Sequence, residues 1–185
     1  MLKTFVLVLA GALAASGATI YNLNNSVGAG SISGAIQTDG IIGVLGTSNI
    51  LDWNLVLNDG SSTFNLLGPL SGNNSAVLVS GNGFSATASQ LLFNFSDSVS
   101  FALFQNPNIG SSINYFCFEA TAGCTGSPAG ESLRLTTGGN QFTAFSGTQV
   151  VASVGGQAAP EPSTFALLGL GIALVVARQK KFARS

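Results

Sequence analysis

Leu51–Asn58, LDWNLVLN, restricts the fold more than any other stretch of the chain. Trp53, Leu55 and Leu57 fall on one side of an extended backbone, and Asp52, Asn54 and Asn58 on the other. A period of two belongs to a strand with one buried face, not to a helix. Asp59-Gly60-Ser61 then supplies a turn, and Thr63–Leu67 returns with Phe64 and Leu66 on a common face until Gly68-Pro69 ends the run. The expected unit is a hairpin whose register is set by the Asp59-Gly60 turn, because a slip of one residue would place Trp53 in water.

The rest of the central region is punctuated in the same way. Gly30–Gln37, the Asp39-Gly40 turn and Ile41–Leu45 read as a first hairpin, and Thr47-Ser48-Asn49 as a single helical turn. Ala76–Val79 and Phe84–Ala88 flank Gly81-Asn82-Gly83. Leu91–Phe95 and Val99–Phe104 are joined across Ser96-Asp97-Ser98. After the Asn106-Pro107-Asn108 loop come Ile113–Phe118, Leu133–Thr136, Phe142–Phe145 and Thr148–Val154. Roughly nine to eleven short strands, spaced about 8–12 residues apart, predict an all-β chain: a single antiparallel β-sandwich or jelly-roll-like domain. Phe93, Phe95, Phe101 and Phe104 cannot all face one side of such a ladder, so either both faces are buried or an aromatic is partly exposed.

Charge narrows the function classes. Between residues 19 and 159 one Arg, Arg134, stands against Asp39, Asp52, Asp59, Asp97, Glu119 and Glu131, a formal charge of −5. A domain with one Arg and no Lys cannot assemble a phosphate-binding surface, so nucleic acid is excluded as a partner. Its solubility rests on Asn, Ser, Thr and Gly.

The other basic residues sit at the two ends. Met1–Ala18 has Lys3 before the apolar Phe5–Ala15, and Ser16-Gly17-Ala18 forms a small-x-small site. It reads as a secretory signal peptide cleaved after Ala18. Residues 19–154 are then the β-rich exported domain, and 155–159 a small-residue linker. At the far end, Pro160-Glu161-Pro162 precedes an uncharged run from Phe165 to Ala177, followed by Arg178, Lys180, Lys181 and Arg184. As a helix at ~1.5 Å per residue the run covers roughly 20 Å. That is short for a hydrocarbon core of ~30 Å, but flanking Arg and Lys can snorkel and the bilayer can thin. Phe165, Leu167, Leu168, Leu170, Ile172, Leu174, Val175 and Val176 are the expected anchor of a single transmembrane helix. The basic cluster is its cytoplasmic stop-transfer tail. Pro160 and Pro162 keep the preceding segment extended and start the helix after Pro162.

Pro160-Glu161-Pro162-Ser163-Thr164, then Ala166-Leu167-Leu168-Gly169-Leu170-Gly171, then the basic end, resembles the PEP-CTERM protein-sorting signal. Gln179 interrupts a tail that in this family is more often an Arg run. Ser33-Gly34 through Thr38-Asp39-Gly40, Ile50-Leu51-Asp52-Trp53-Asn54 and Leu91-Leu92-Phe93-Asn94-Phe95-Ser96 also resemble the mature regions of proteins carrying this tag. The resemblance implies export in a Gram-negative, exopolysaccharide-making bacterium. It implies recognition by exosortase, a membrane-embedded cysteine transpeptidase or protease, and at least transient residence in the membrane. The nucleophile of that chemistry belongs to the sorting enzyme, so no catalytic residue is carried over to this chain.

Cys117 and Cys124 are the only cysteines, and in an exported chain an even pair reads as a disulfide. There is no histidine, which removes His-based nucleophile activation and argues against a metal site. Asp52 with Asp59, or Glu119 with Glu131, are the nearest approach to an acid–base pair. Asp52, Asn54, Asn58 and Asp59 offer calcium-type oxygens without the spacing of a calcium loop. Gly81-x-Gly83-x-x-Ala86 mimics a dinucleotide fingerprint but lacks the strand–helix context. Asn24, Asn73 and Asn94 open Asn-x-Ser sequons that read as turn and surface residues. No cofactor is expected.

The expected function is that of a non-enzymatic exported protein, sorted and processed by exosortase to the cell surface or extracellular matrix, in contact with exopolysaccharide or neighbouring copies. Two alternatives stand beside it. One is a two-carboxylate carbohydrate-active enzyme; the other is a permanently anchored membrane protein whose domain faces the periplasm.

Overall fold

The computed structural model describes residues 17–107, 113–120, 124, 128–136 and 138–155. The chain divides into two compact units, Met1–Gly155 and Gly156–Ser185. The second unit lies outside the described residues, and with it the expected sorting segment. So do residues 1–16 of the expected signal peptide. Among the described residues no helix is long and apolar enough to cross a membrane.

Thirteen strands are present among those residues: β1 (Thr19–Val27), β2 (Gly30–Thr38), β3 (Gly43–Val44), β4 (Ile50–Asn58), β5 (Thr63–Leu67), β6 (Ser75–Ser80), β7 (Phe84–Ala86), β8 (Gln90–Asn94), β9 (Ser100–Gln105), β10 (Tyr115–Glu119), β11 (Gly130–Arg134), β12 (Asn140–Ala144) and β13 (Thr148–Val154). They form two antiparallel sheets, one in the order β3-β7-β8-β13-β1-β2-β4-β5, the other β12-β11-β10-β9-β6. Thr47–Asn49 is the expected single helical turn, of the 3-10 type.

The β4–β5 hairpin has the expected register, with Leu57 opposite Phe64 and Leu55 opposite Leu66. Asp59 Oδ1 accepts from the Ser61 and Ser62 amides at 2.9 and 2.7 Å, and this closes the turn. Trp53 is buried, and its indole Nε1 donates to Ser75 Oγ at 2.7 Å.

The expected first hairpin does not form. β3 pairs with β7, and β2 lies between β1 and β4. Residues 39–49 are instead an excursion closed on itself: the Asp39 amide donates to the Asn49 carbonyl at 3.0 Å, and Asn49 Nδ2 donates to Asp39 Oδ2 at 2.8 Å. Closing that loop returns the chain beside β2, so β4 takes the place expected for Ile41–Leu45. β1 is a strand in a stretch for which none is expected.

The runs around Ser96-Asp97-Ser98 are strands, but not partners. β8 belongs to the eight-stranded sheet and β9 to the five-stranded one, so this segment carries the chain between layers. Gly81-Asn82-Gly83 does the same between β6 and β7. The two crossings lie side by side: Gly81 has φ +75°, and a Cβ there would collide with the Ser98 carbonyl. Only glycine meets both demands.

Crossing between sheets resolves the phenylalanine question. Phe93 and Phe95 enter the core from one layer, Phe101 and Phe118 from the other. Ring centroids are 4.7 Å apart for Phe93–Phe95, 5.5 Å for Phe93–Phe118 and 5.6 Å for Phe101–Phe118. These are favourable aromatic separations. Phe104, of opposite parity to Phe101, is half-buried.

Candidate functional site

Most candidate side chains have structural occupations. Asp52 is buried by the loop after β5, where its carboxylate accepts from the Leu70 amide at 3.0 Å and Ser71 Oγ at 2.5 Å. Asp59 holds its own turn, and the Ser61 amide, then Ser62, keep its carboxyl below the usual range. A strand rises roughly 3.3 Å per residue, so the seven steps from Asp52 to Asp59 span about 23 Å. That is too far for a two-carboxylate hydrolytic pair, which works at ~5–10 Å. Asn54 and Asn58 are strung along the same strand, so the four oxygens cannot share one cation with ~2.3–2.6 Å ligand distances.

Cys117 and Cys124 are joined by a disulfide. Glu119 is fully buried beside it and accepts from the Cys124 amide at 2.6 Å. Cys117, Glu119 and Cys124 bring their sulfur and carboxylate atoms within 4.8 Å of one another. With the sulfurs bonded together, neither is a thiolate, so this cluster is a loop clamp and not a ligand set.

Glu119 and Glu131 do not form a pair. In the β10–β11 ladder Glu119 lies opposite Gly130 and Glu131 opposite Phe118. Directly opposed residues share a face and adjacent ones do not. Glu131 therefore points inward with Phe118, and Glu119 outward with Cys117.

The inward position of Glu131 creates a site that the sequence reading missed. Along β1 the inward residues are Tyr21, Leu23, Asn25 and Val27, so one polar side chain interrupts an apolar series. Asn25 Nδ2 donates to Glu131 Oε1 at 2.9 Å and, less closely, to the Val151 carbonyl at 3.4 Å. β1 and β13 pair only at Tyr21–Val154 and Asn22–Ser153. Beyond that, a bulge at Val151 shifts the β13–β8 register and buries the consecutive residues Val151 and Ala152. The two strands diverge, leaving a pocket of about 220 Å³ lined by Asn25, Ser26, Phe95, Glu131, Phe145 and Gln149 with Val150 and Val151. Phe95 and Phe145 form an apolar wall, 5.2 Å between centroids. Burial pushes the Glu131 carboxyl up to about 7, against a downward pull from Asn25. A polar residue at an inward strand position on each of β1 and β11 was the available sequence signal.

The outward face of β1, β2, β4 and β5 has a different character. Its cross-strand rows are Asn22–Ala35–Asn54–Leu67, Asn24–Ser33–Val56–Asn65 and Ser26–Ser31–Asn58–Thr63. Amides and hydroxyls dominate, without a charged side chain in these rows.

Ala18 is exposed immediately before β1, where the expected signal-peptide cleavage would fall. The match that decides the other end is confined to residues 158–181. The chain carries a PEP-CTERM protein-sorting motif. No curated protein and no solved structure matches the chain. The PEP-CTERM motif contains Pro160-Glu161-Pro162, the expected anchor residues and the start of the basic tail, all outside the described residues. It implies export, an exosortase as processing partner, and a membrane-anchored precursor sorted to the cell surface.

Proposed function

We propose that this chain is a non-catalytic surface or matrix component. It is exported by its N-terminal segment, held in the membrane through Phe165–Val176, and processed by exosortase near Pro160-Glu161-Pro162. Its β-sandwich then contacts extracellular polysaccharide through the outward face of β1, β2, β4 and β5. The observation that carries the sorting half is the PEP-CTERM match at residues 158–181. The polysaccharide half is supported by the neutral amide–hydroxyl rows, which can donate to and accept from sugar hydroxyls without a charge requirement. A non-catalytic role is supported by the structural engagement of Asp52 and Asp59 and by the opposite faces of Glu119 and Glu131.

Deleting Pro160–Ser185 should move the protein out of the surface fraction, with an intact mass of the wild-type mature chain that lacks this segment. Unchanged fractionation would overturn the sorting role, and a mature chain retaining its tail would leave it a permanent membrane protein. Replacing Asn24, Asn54 and Asn65 with Arg should reduce co-sedimentation with isolated neutral extracellular polysaccharide while leaving the far-UV spectrum unchanged. Equal co-sedimentation would remove that face from the reading.

A further inference from the structure

The pocket between β1 and β13 is rich in free acceptors and poor in free donors. Asn25 Nδ2 is engaged by Glu131 and Val151, and Gln149 Nε2 donates to the Ser146 carbonyl at 2.8 Å. Among the described residues no hydrogen bond reaches Glu131 Oε2, Asn25 Oδ1 or Gln149 Oε1. Glu131 itself is 1% exposed and lines the pocket. The Glu131 carboxyl as a whole is buried, and a donor-rich cation would offset its desolvation.

We propose that this pocket binds a primary ammonium group on a short apolar stem, its N–H donors directed to Glu131 Oε2 and the Asn25 and Gln149 carbonyl oxygens, its stem against Phe95 and Phe145. Three observations select that class. Free acceptors, with a carboxylate among them, outnumber the free donors, which are one Gln149 Nε2 hydrogen and the Ser26 hydroxyl. This disfavours carboxylates, phosphates and other anions, as does the formal charge of −5 over residues 19–159. A calcium ion takes about six to eight oxygens, and one carboxylate with two amides falls short. At about 220 Å³ the pocket is smaller than the ~300–1,000 Å³ typical of drug-sized ligands, which suits an ammonium and a few carbons. The aromatic wall adds apolar contact and favours a cation near its ring faces.

The site predicts its own pH dependence. An ammonium ligand favours ionised Glu131, so binding tightens as pH rises through about 7. The titratable side chains of the neighbouring strands face elsewhere. Tyr115, Glu119 and Arg134 belong to the opposite face of the β10–β11 ladder. β8, β12 and β13 contain no titratable side chain, and the only one on β1, Tyr21, donates its hydroxyl to the Thr87 carbonyl.

The test is a titration of the ¹⁵N-labelled full chain in a non-ionic detergent, following the side-chain amides of Asn25 and Gln149. The probes are n-butylammonium, n-butanol, butyrate and potassium chloride at matched ionic strength. N-acetyl-lysine methylamide joins them, so that a free amine can be told from one presented on a peptide. Butylammonium or the lysine derivative should shift both amides and saturate, with affinity rising roughly thirtyfold from pH 5.5 to 8 for ionisation near 7. Whichever of the two binds more tightly names the source. Glu131→Gln should abolish the pH dependence and weaken binding at least tenfold at pH 8, and Gln149→Ala, at a half-exposed position, should weaken it severalfold. Equal binding of butanol, tighter binding of butyrate, equal shifts from potassium chloride, a flat pH profile, or no shift at saturating amine would each overturn the proposal. None of these outcomes depends on polysaccharide contact or on the sorting tail.

Discussion

Neighbouring strands β10 and β11 each bury a glutamate, and the two faces of that ladder use it differently. On the outward face Glu119 accepts the Cys124 amide inside the disulfide-closed loop. On the inward face Glu131 accepts one amide hydrogen from Asn25 and lines a pocket. Both are almost fully buried, at 0% and 1% exposure. Burial by itself therefore does not separate a structural carboxyl from one available to a ligand. The groups that occupy its lone pairs do.

The largest effect expected from disturbing this contrast lies beside Glu131. Phe118 shares its face and stacks within 6.2 Å of Phe93, Phe95, Phe101 and Phe116. Phe118→Ala should cost about 3–5 kcal/mol in urea unfolding at unchanged slope. A loss below about 1 kcal/mol would mean that the inward face is not the core.

A smaller effect separates the two glutamates directly. The folded pKa of Glu131, about 7, lies above the ordinary glutamate value of 4.5. A carboxyl raised in this way contributes fully below the unfolded pKa, and that contribution is lost as pH rises through the folded one. Stability should fall by about 3 kcal/mol between pH 4.5 and pH 7.5 at roughly 1.4 kcal/mol per pKa unit. Glu131→Gln should flatten that decline in denaturant titrations across the range. If Glu119→Gln flattens it equally, the contrast between the faces is wrong.

The smallest effect belongs to the outward clamp. Replacing Cys117 and Cys124 by Ser opens a short loop and should cost about 2.5 kcal/mol on the chain-entropy estimate. It should leave the Glu131 pH dependence in place. A change in that dependence would show that the clamp also shapes the pocket.

Particular elements show how far the sequence could be read. The β4–β5 hairpin was legible because everything that defines it is local: alternating side chains, Asp59-Gly60, and a return strand within ten residues. Thr148–Val154 was legible as a strand for the same reason, although its bulge at Val151 was not. The partners of β2 and β3 were misread because Asp39-Gly40 announces a turn without saying where the chain goes next. The answer lay in Asn49, ten residues on, which closes the loop onto Asp39. Ser96-Asp97-Ser98 poses the same problem. Its residues favour a turn, but whether the next strand pairs or changes layer depends on which faces must meet.

The candidate site divides along the same line. Cys117 and Cys124 were legible as a bridge, because two cysteines in an exported chain leave one intramolecular pairing. The PEP-CTERM segment was legible because its information is linear: an extended tripeptide, an apolar run and a basic end in order. Asn25 and Glu131, 106 residues apart, carried no such signal.

From sequence alone came the all-β class, the local hairpin, the cysteine pair and the sorting motif at the far end. Each depends on residues near one another along the chain, where side-chain period and turn chemistry act directly on the backbone. The tertiary structure alone decided which strands share a sheet, which glutamate faces the core, and where β1 and β13 part. Those are long-range choices, made by the need to bury Phe93, Phe101 and Phe118 together, and no short window of sequence contains all the residues that must agree.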